Sequence, residues 1–401
     1  MNNETDPGPN PPDSSSHNPI NPFMKPISIS TWLLATTIAF SACKQNLTED
    51  LNTSLPVKNN TAANALTGNY SEDIFTSLDF YNGYADPLYK EKDGIIYLDN
   101  TVALKKISLR NKVNPTANIK GELRIYQKGD GYDRDGQLFF IRDSVIKAIL
   151  NNNISFDAAA KQKLLNFTPK TGYLYITPFF FWYQSIQSVP YTFNLKDVAS
   201  LLTGEDSCWV GLSAWGVDWT GKKSEGHAYD WNLAGEKRTF TADLKITADN
   251  SSSNPNPTYI QAVQFGTIKN TDGSNARTFS QTITVPYKLK NARIIVISQA
   301  WGADFGGEEY NYRTHNVSWD GTKIGTFSSK EACGPNTMRS EDISSSPRNW
   351  CPSNIVTPHT INISGNIEAG SSHTVKLDIV NAKADAKNYF KISIYIAGEK
   401  I

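Results

Sequence analysis

The sequence predicts an all-β fold arranged as antiparallel sandwiches. Short segments of alternating apolar residues, among them GELRIYQ, QLFFIRD, RTFTADLKIT, ARIIVISQAW and FKISIYIAG, are rich in Val, Ile, Tyr, Phe and Thr. These side chains fit a pleated, half-buried surface. The gaps between the segments carry turn chemistry in DG, NPNP and DGS, where Gly, Pro, Asn and Asp reverse the chain. The chain has 401 residues, more than one hydrophobic core usually spans, so two medium domains are expected.

At the N-terminus, residues 27–42 read ISISTWLLATTIAFSA, an uncharged apolar run preceded by Lys25 and followed by Cys43. The run is too short for a comfortable spanning helix and has the anatomy of an export signal. Its FSAC ending resembles a bacterial lipobox, in which the Cys receives lipid after cleavage, although Phe40 stands where Leu is usual. Residues 1–23 are rich in Pro, Asn and Ser, so Met24 is the expected true start. Residues 1–42 are therefore read as the signal segment. Residues 43–93 are read as lipid attachment and tether, because the stretch after Cys43 is polar and cannot offset its ordering entropy. The expected location is the bacterial cell envelope, by lipid anchor, with the outer membrane as the expected membrane and the face it occupies left open.

From Gly94 onward strand patterns recur, with one convincing helix at Ser144–Leu165 and a short one at Leu195–Leu202. Two strand-rich blocks of similar length flank Trp231–Lys237. The domains are accordingly placed at 94–233 and 234–401.

The formal net charge is zero, which argues against nucleic acid or a strongly charged polymer as partner. The chain carries 9 Trp and 18 Tyr. Such rings stack on sugars, but β-proteins also bury them, and composition does not choose between the two. Cys333 and Cys351 lie in one polar, turn-rich stretch and are read as a disulfide, since exported proteins are oxidised. Cys208 has no partner and is read as a buried small hydrophobe.

WGADFGGEEYNYRTH at Trp301–His315, then Cys333, then RNWCPSNIVTPH at Arg348–His359, together resemble the C-terminal domain of the peptide-N-glycosidase F family. GELRIYQKGDGYDRDGQLFFI, with its Tyr132–Asp133–Arg134 triplet, then YITPFFF, FNLKDVASLLTG and a strand ending in Trp215, follow the order of that family's N-terminal domain. The resemblance covers about residues 105–400. It implies two adjacent eight-stranded antiparallel jelly rolls with a few short helices and a cleft between them. The implied reaction is hydrolysis of the amide joining asparagine to N-acetylglucosamine in N-glycoproteins or N-glycopeptides, which leaves aspartate and frees the glycan.

Amide hydrolysis needs an activated water, a stabilised oxyanion and a proton for the leaving nitrogen. By resemblance, Asp133 is the catalytic carboxylate and Glu309 the acid of the second domain. Glu308 is its register rival, because neighbours in a strand face opposite ways. Arg348 is placed to hold the carbonyl, one residue closer to the tryptophan than in the family. Trp215, Trp301 and Trp350 are placed to line the sugar cleft. The third family acid falls on Ser213, which carries no charge, and Asp218 on the following loop is the candidate to reach the same place. The serine keeps a second reading open: a non-catalytic N-glycan-binding surface lipoprotein of the same fold. The five histidines, His17, His227, His315, His359 and His373, are not paired at ligand spacing. No metal or cofactor is expected, and the protein is expected to be a monomer.

Overall fold

The structure, a computed structural model, describes residues 66–92, 94–153, 155–180, 185–219, 236–268, 277–302, 307–331, 333, 348–383 and 387–401. The signal segment, Cys43 and residues 44–65 of the tether lie outside the described residues. No helix among the described residues is long and apolar enough to cross a membrane.

The first sandwich uses β1 (Asn69–Tyr81), β2 (Ile95–Asp99), β3 (Val102–Ile107), β4 (Asn118–Gln127), β5 (Asp135–Arg142), β6 (Thr171–Ile176), β7 (Ser188–Asn194), β8 (Cys208–Ala214) and β9 (Arg238–Asp249). Its sheets run β1-β9-β4-β7 and β2-β3-β8-β5-β6. The second uses β10 (Tyr259–Ile268), β11 (Thr278–Val285), β12 (Leu289–Trp301), β13 (Thr314–Trp319), β14 (Thr322–Ser328), β15 (His359–Asn362), β16 (Ser371–Ile379) and β17 (Tyr389–Lys400). Its sheets run β10-β17-β12-β15 and β11-β16-β13-β14. All named pairings are antiparallel. The fold is a double jelly roll, with eight strands in the second roll and nine in the first among the described residues.

Two expected boundaries move. Residues 69–81 fall within the expected tether, yet they form β1 and pair with β9. Its polar residues alternate with Ile74, Leu78 and Phe80, which are buried, so one edge strand hides in a polar-looking sequence. A junction at 233/234 puts β9 in the second domain, yet it lies between β1 and β4 in the first sandwich. The junction between rolls therefore falls after Asp249.

The single helix expected over Ser144–Leu165 is two helices, α1 (Asp143–Ile149) and α2 (Ala158–Asn166). Asn151 and Asn152 adopt positive φ of 51° and 59°, a left-handed conformation Asn tolerates and helices do not continue through. Asp157 then caps α2 by accepting from the Ala160 amide at 2.8 Å. The short helix at Leu195–Leu202 is present as a 3-10 turn at Lys196–Val198 running into α3 (Ala199–Leu202).

The near-continuous apolar runs of β12 and β17 have a topological cause. On β12, Ile294, Val296 and Ala300 join the core of the second roll, while Ile295 and Ile297 join the core of the first. β17 divides in the same way: Ile392, Ile394 and Ile396 face one core, Tyr395 and Ala397 the other. This sheet is thus covered on both faces, and period-two alternation gives way to unbroken hydrophobicity. Each fully buried Ile contributes ~1.5–3 kcal/mol. The inter-roll face is a packed apolar layer, with Phe139 and Phe265 rings 5.6 Å apart across it.

Candidate active site

Asp133 sits on the loop between β4 and β5, and the loop is pinned by a carboxylate deeper than itself. Asp130 is fully buried and accepts from the amides of Tyr132 at 2.9 Å and Val217 at 2.7 Å, and from Arg134 Nε at 2.8 Å. Burial pushes the Asp130 carboxyl up, against the opposing pull of Arg134 and the two amides. Thr177 closes the other side: its Oγ1 accepts from the Arg134 amide at 2.6 Å, and its own amide donates to the Arg134 carbonyl at 2.8 Å. A polar hairpin of this composition would otherwise be mobile. Here its amides and carbonyls are bound, so Asp133 is held on a rigid support.

The second roll supplies the opposing groups. Residues Glu308–Tyr310 form a 3-10 turn rather than the strand expected, so strand alternation does not sort the two glutamates. Hydrogen bonding does. Glu308 is fully buried and takes both ends of the Arg313 guanidinium at 2.8 Å, along with the Lys383 amide. Glu309 instead lies 3.1 Å from Arg348 Nη1.

Arg348 Nη1 is also 2.5 Å from Asp133 Oδ2. One guanidinium nitrogen therefore bridges an acid from each roll, and all three side chains are buried. Its Cζ stands 4.9 Å from the Trp350 ring and 5.5 Å from the Tyr310 ring, a cation–π setting. Asn349 next to it is a residue the sequence reading passed over. Its amide side chain donates to the carbonyls of Glu308 and Glu309 at 2.7 and 3.0 Å and accepts from the Ala300 amide at 2.9 Å. That staple fixes Arg348 relative to Glu309.

The segment after Arg348 is then laid along the first roll. Ser353 donates to the Ile176 carbonyl, Ile176 to the Asn354 carbonyl and Val356 to the Leu174 carbonyl, at 3.1, 2.9 and 2.9 Å. This short extension of β6 sets the height of Arg348 over Asp133. The Cys333–Cys351 disulfide is formed, with Cα atoms 5.5 Å apart, and it ties the same segment back to its own roll. Asp135, also passed over in the sequence, adds a second tie: it accepts from Gln299 on β12 and pairs with Lys391 on β17.

The remaining candidates separate. Trp215 is half-buried, with the Arg134 guanidinium 5.2 Å from its ring. Trp301 is half-buried and packs on Trp350 with centroids 4.6 Å apart. Trp350 does not line the cleft as expected. It is 0 % exposed and donates from Nε1 to the Ala300 carbonyl at 2.8 Å, so it props Trp301 and Arg348 from beneath. Ser213 is buried on β8, opposite Val102 and Gln137 in the neighbouring strands. Asp218 lies against Gly129, where a Cβ would come within 2.6 Å of its Oδ1, and thus at the foot of the Asp130 loop. Cys208 is buried and its thiol is pushed up to about 12 by desolvation, the state of an inert core residue. Among the described residues, no three His, Cys, Asp or Glu side chains gather as a metal set.

Residues 73–233 match the family model described as peptide-N-glycosidase F, N terminal, and residues 270–397 match peptide-N-glycosidase F, C terminal. The fold is similar to PNGF-II, with TM-score 0.60 and 18% identity over 83% of this chain and 65% of that one. It is also similar to PNGase F, a glycosylasparaginase from Flavobacterium meningosepticum, with TM-score 0.53 and 12% identity over 83% of this chain and 97% of that one. No curated protein matches by sequence. The chain thus spans about two thirds of PNGF-II, at 65% of its length. Two paired jelly rolls, each matching one of the two N-glycanase domain models, define an N-glycanase-type architecture. The chain belongs to the peptide-N-glycosidase F family.

Proposed function

We propose that the protein hydrolyses the amide bond between asparagine and N-acetylglucosamine in N-glycoproteins or N-glycopeptides. The observation that carries this reading is the Arg348 bridge, 2.5 Å from Asp133 and 3.1 Å from Glu309. Asp133 takes a proton from water as the water attacks the side-chain carbonyl carbon. Arg348 hydrogen-bonds the carbonyl oxygen as it becomes an oxyanion, a donor whose charge suits that task. Glu309 orients Arg348 and the water from the opposite wall. Collapse of the tetrahedral intermediate breaks the C–N bond, and the proton gained by Asp133 passes to the leaving nitrogen. The products are aspartate and a glycosylamine. No cofactor enters the scheme.

Incubation with a denatured N-glycoprotein in heavy-oxygen water tests it. The expected result is free oligosaccharide and one heavy oxygen in the aspartate that replaces asparagine. Absence of both at high protein concentration rejects the reading.

One observation favours a second reading. Ser213 is buried where the resemblance places a third acid, and a hydroxyl cannot replace a carboxylate's charge. A glycan-binding protein without turnover would bind N-glycopeptides equally well after Asp133→Ala. Robust cleavage excludes it.

Export and lipid attachment at Cys43 belong to the same proposal. Radiolabelled palmitate should enter the wild-type protein and not Cys43→Ser. Equal labelling of both overturns the anchor assignment.

A further inference from the structure

Tyr84 is the most exposed large hydrophobic side chain among the described residues, at 79%. An exposed aromatic on a loose loop would mean little. This one stands on a loop whose polar groups are unusually well bound.

The loop Asn82–Leu88 is organised around the buried side chain of Asn100. Its Nδ2 donates to the carbonyls of Asn82, Ala85 and Asp86 at 2.9, 3.1 and 3.0 Å, and its Oδ1 accepts from the Leu88 amide at 2.7 Å. The Tyr84 amide donates to Asn82 Oδ1 at 2.9 Å, and the Gly83 amide to the Gly216 carbonyl at 3.0 Å. A Cβ on Gly83 would lie 2.4 Å from Trp215 Nε1, so the loop backbone rests on the indole itself.

Tyr84 then meets Trp215 edge-on, with centroids 5.2 Å apart and planes at 85°. Two rings at a right angle make a corner, one wall half-buried and the other almost free. The corner adjoins the acids. Arg134, the residue after Asp133, stacks on Trp215 with its guanidinium carbon 5.2 Å from the ring. Trp215 thus touches Tyr84 on one side and the neighbour of Asp133 on the other.

We infer that Tyr84 and Trp215 form a carbohydrate subsite at the rim of the cleft, in which the Tyr84 ring stacks on a sugar ring beyond the first N-acetylglucosamine. The inference deepens the proposed function and rests on it for the identity of the glycan. A rigid ring with a free face binds the C–H face of a pyranose at little entropic cost. A tyrosine needed for the core would not be left four-fifths in water.

The test uses the full chain and two glycopeptides of one sequence, one bearing a branched N-linked oligosaccharide and one bearing a single N-acetylglucosamine. Tyr84→Ala should raise KM between about 3- and 10-fold for the branched substrate, the range a lost aromatic contact gives. It should leave kcat unchanged and the single-sugar KM unmoved. Tyr84→Phe should behave as wild type. Equal KM for wild type and Tyr84→Ala, or an equal rise on both substrates, overturns the subsite. Tryptophan-fluorescence titration with the released oligosaccharide separates this outcome from failure of the amidase reading. Tyr84-dependent binding without turnover by the wild type keeps the subsite and rejects the amidase. Neither binding nor turnover rejects both.

Discussion

Arg348 Nη1 lies 2.5 Å from Asp133 Oδ2, although 215 positions separate them in sequence. The contact joins the two rolls inside a buried site. Removing the guanidinium takes away the cation that bridges Asp133 and Glu309. Arg348→Met should cost about 3–5 kcal/mol of stability, as for a broken buried ion pair. Denaturant unfolding with activity assays on the same samples checks it. Arg348→Lys keeps the charge without the planar fork and should recover stability ahead of activity.

Asp133→Asn and Glu309→Gln are near-isosteric and separate the two acids. Asp133→Asn should lower kcat at least about 100-fold, the scale of a lost general base. Glu309→Gln should retain measurable turnover with a changed pH profile, because it keeps a hydrogen-bond partner for Arg348. Equal loss in both variants would assign Glu309 a share in proton transfer.

His315 makes stability depend on pH. Its Nε2 accepts from Ser298 at 2.9 Å, its Nδ1 faces the Arg313 carbonyl at 3.0 Å, and its ring stacks on Phe327 at 4.7 Å. Burial lowers its pKa from 6.5 to about 4. The unfolded chain therefore binds more protons between these values, and stability is lost as pH falls through that window. The loss attributable to His315 is about 3 kcal/mol, from 1.36 kcal/mol per pKa unit. Unfolding free energies at pH 7 and pH 4, for wild type and His315→Gln, isolate it: the pH dependence should be shallower in the variant by that amount.

Gly211 on β8 lies opposite Phe139 on β5, and a Cβ there would come within 2.1 Å of the Phe139 ring. Gly211→Ala should destabilise by about 1–3 kcal/mol through overpacking. Gly211→Ala with Phe139→Leu should recover part of the loss. A neutral single variant would show that the ring can shift.

The Cys333–Cys351 bridge closes behind Arg348. Replacing both cysteines by serine should cost about 3 kcal/mol by loop entropy. If the bridge also positions the arginine, kcat should fall at temperatures where the variant is fully folded. Circular dichroism and initial rates on one sample distinguish the two effects.

The strands with alternating pattern were legible because pleating and one-sided burial write themselves into a period of two. β1 and the placement of β9 were not, since a polar edge strand and a strand returning to an earlier sheet are decided by long-range pairing. Asp133, Glu309 and Arg348 were legible through motif order, and the structure brings them together. Their supports were less so. Asn349 and Asp130 act through backbone groups whose positions no local pattern reveals. Trp350 illustrates the converse: its motif was found, but only packing shows that it is buried. Tyr84 lay in a stretch whose polarity read as tether.

The strip from Ser353 to Val356 is hydrogen-bonded to β6 of the other roll, and the apolar layer beside it is shared by both cores. A clamshell motion that parted the rolls would have to unzip that strip and wet the layer together. The two rolls therefore act as a fixed frame rather than as a pair of jaws. An excised roll would lack not only half of the reactive groups but also the surface that shapes its own edge.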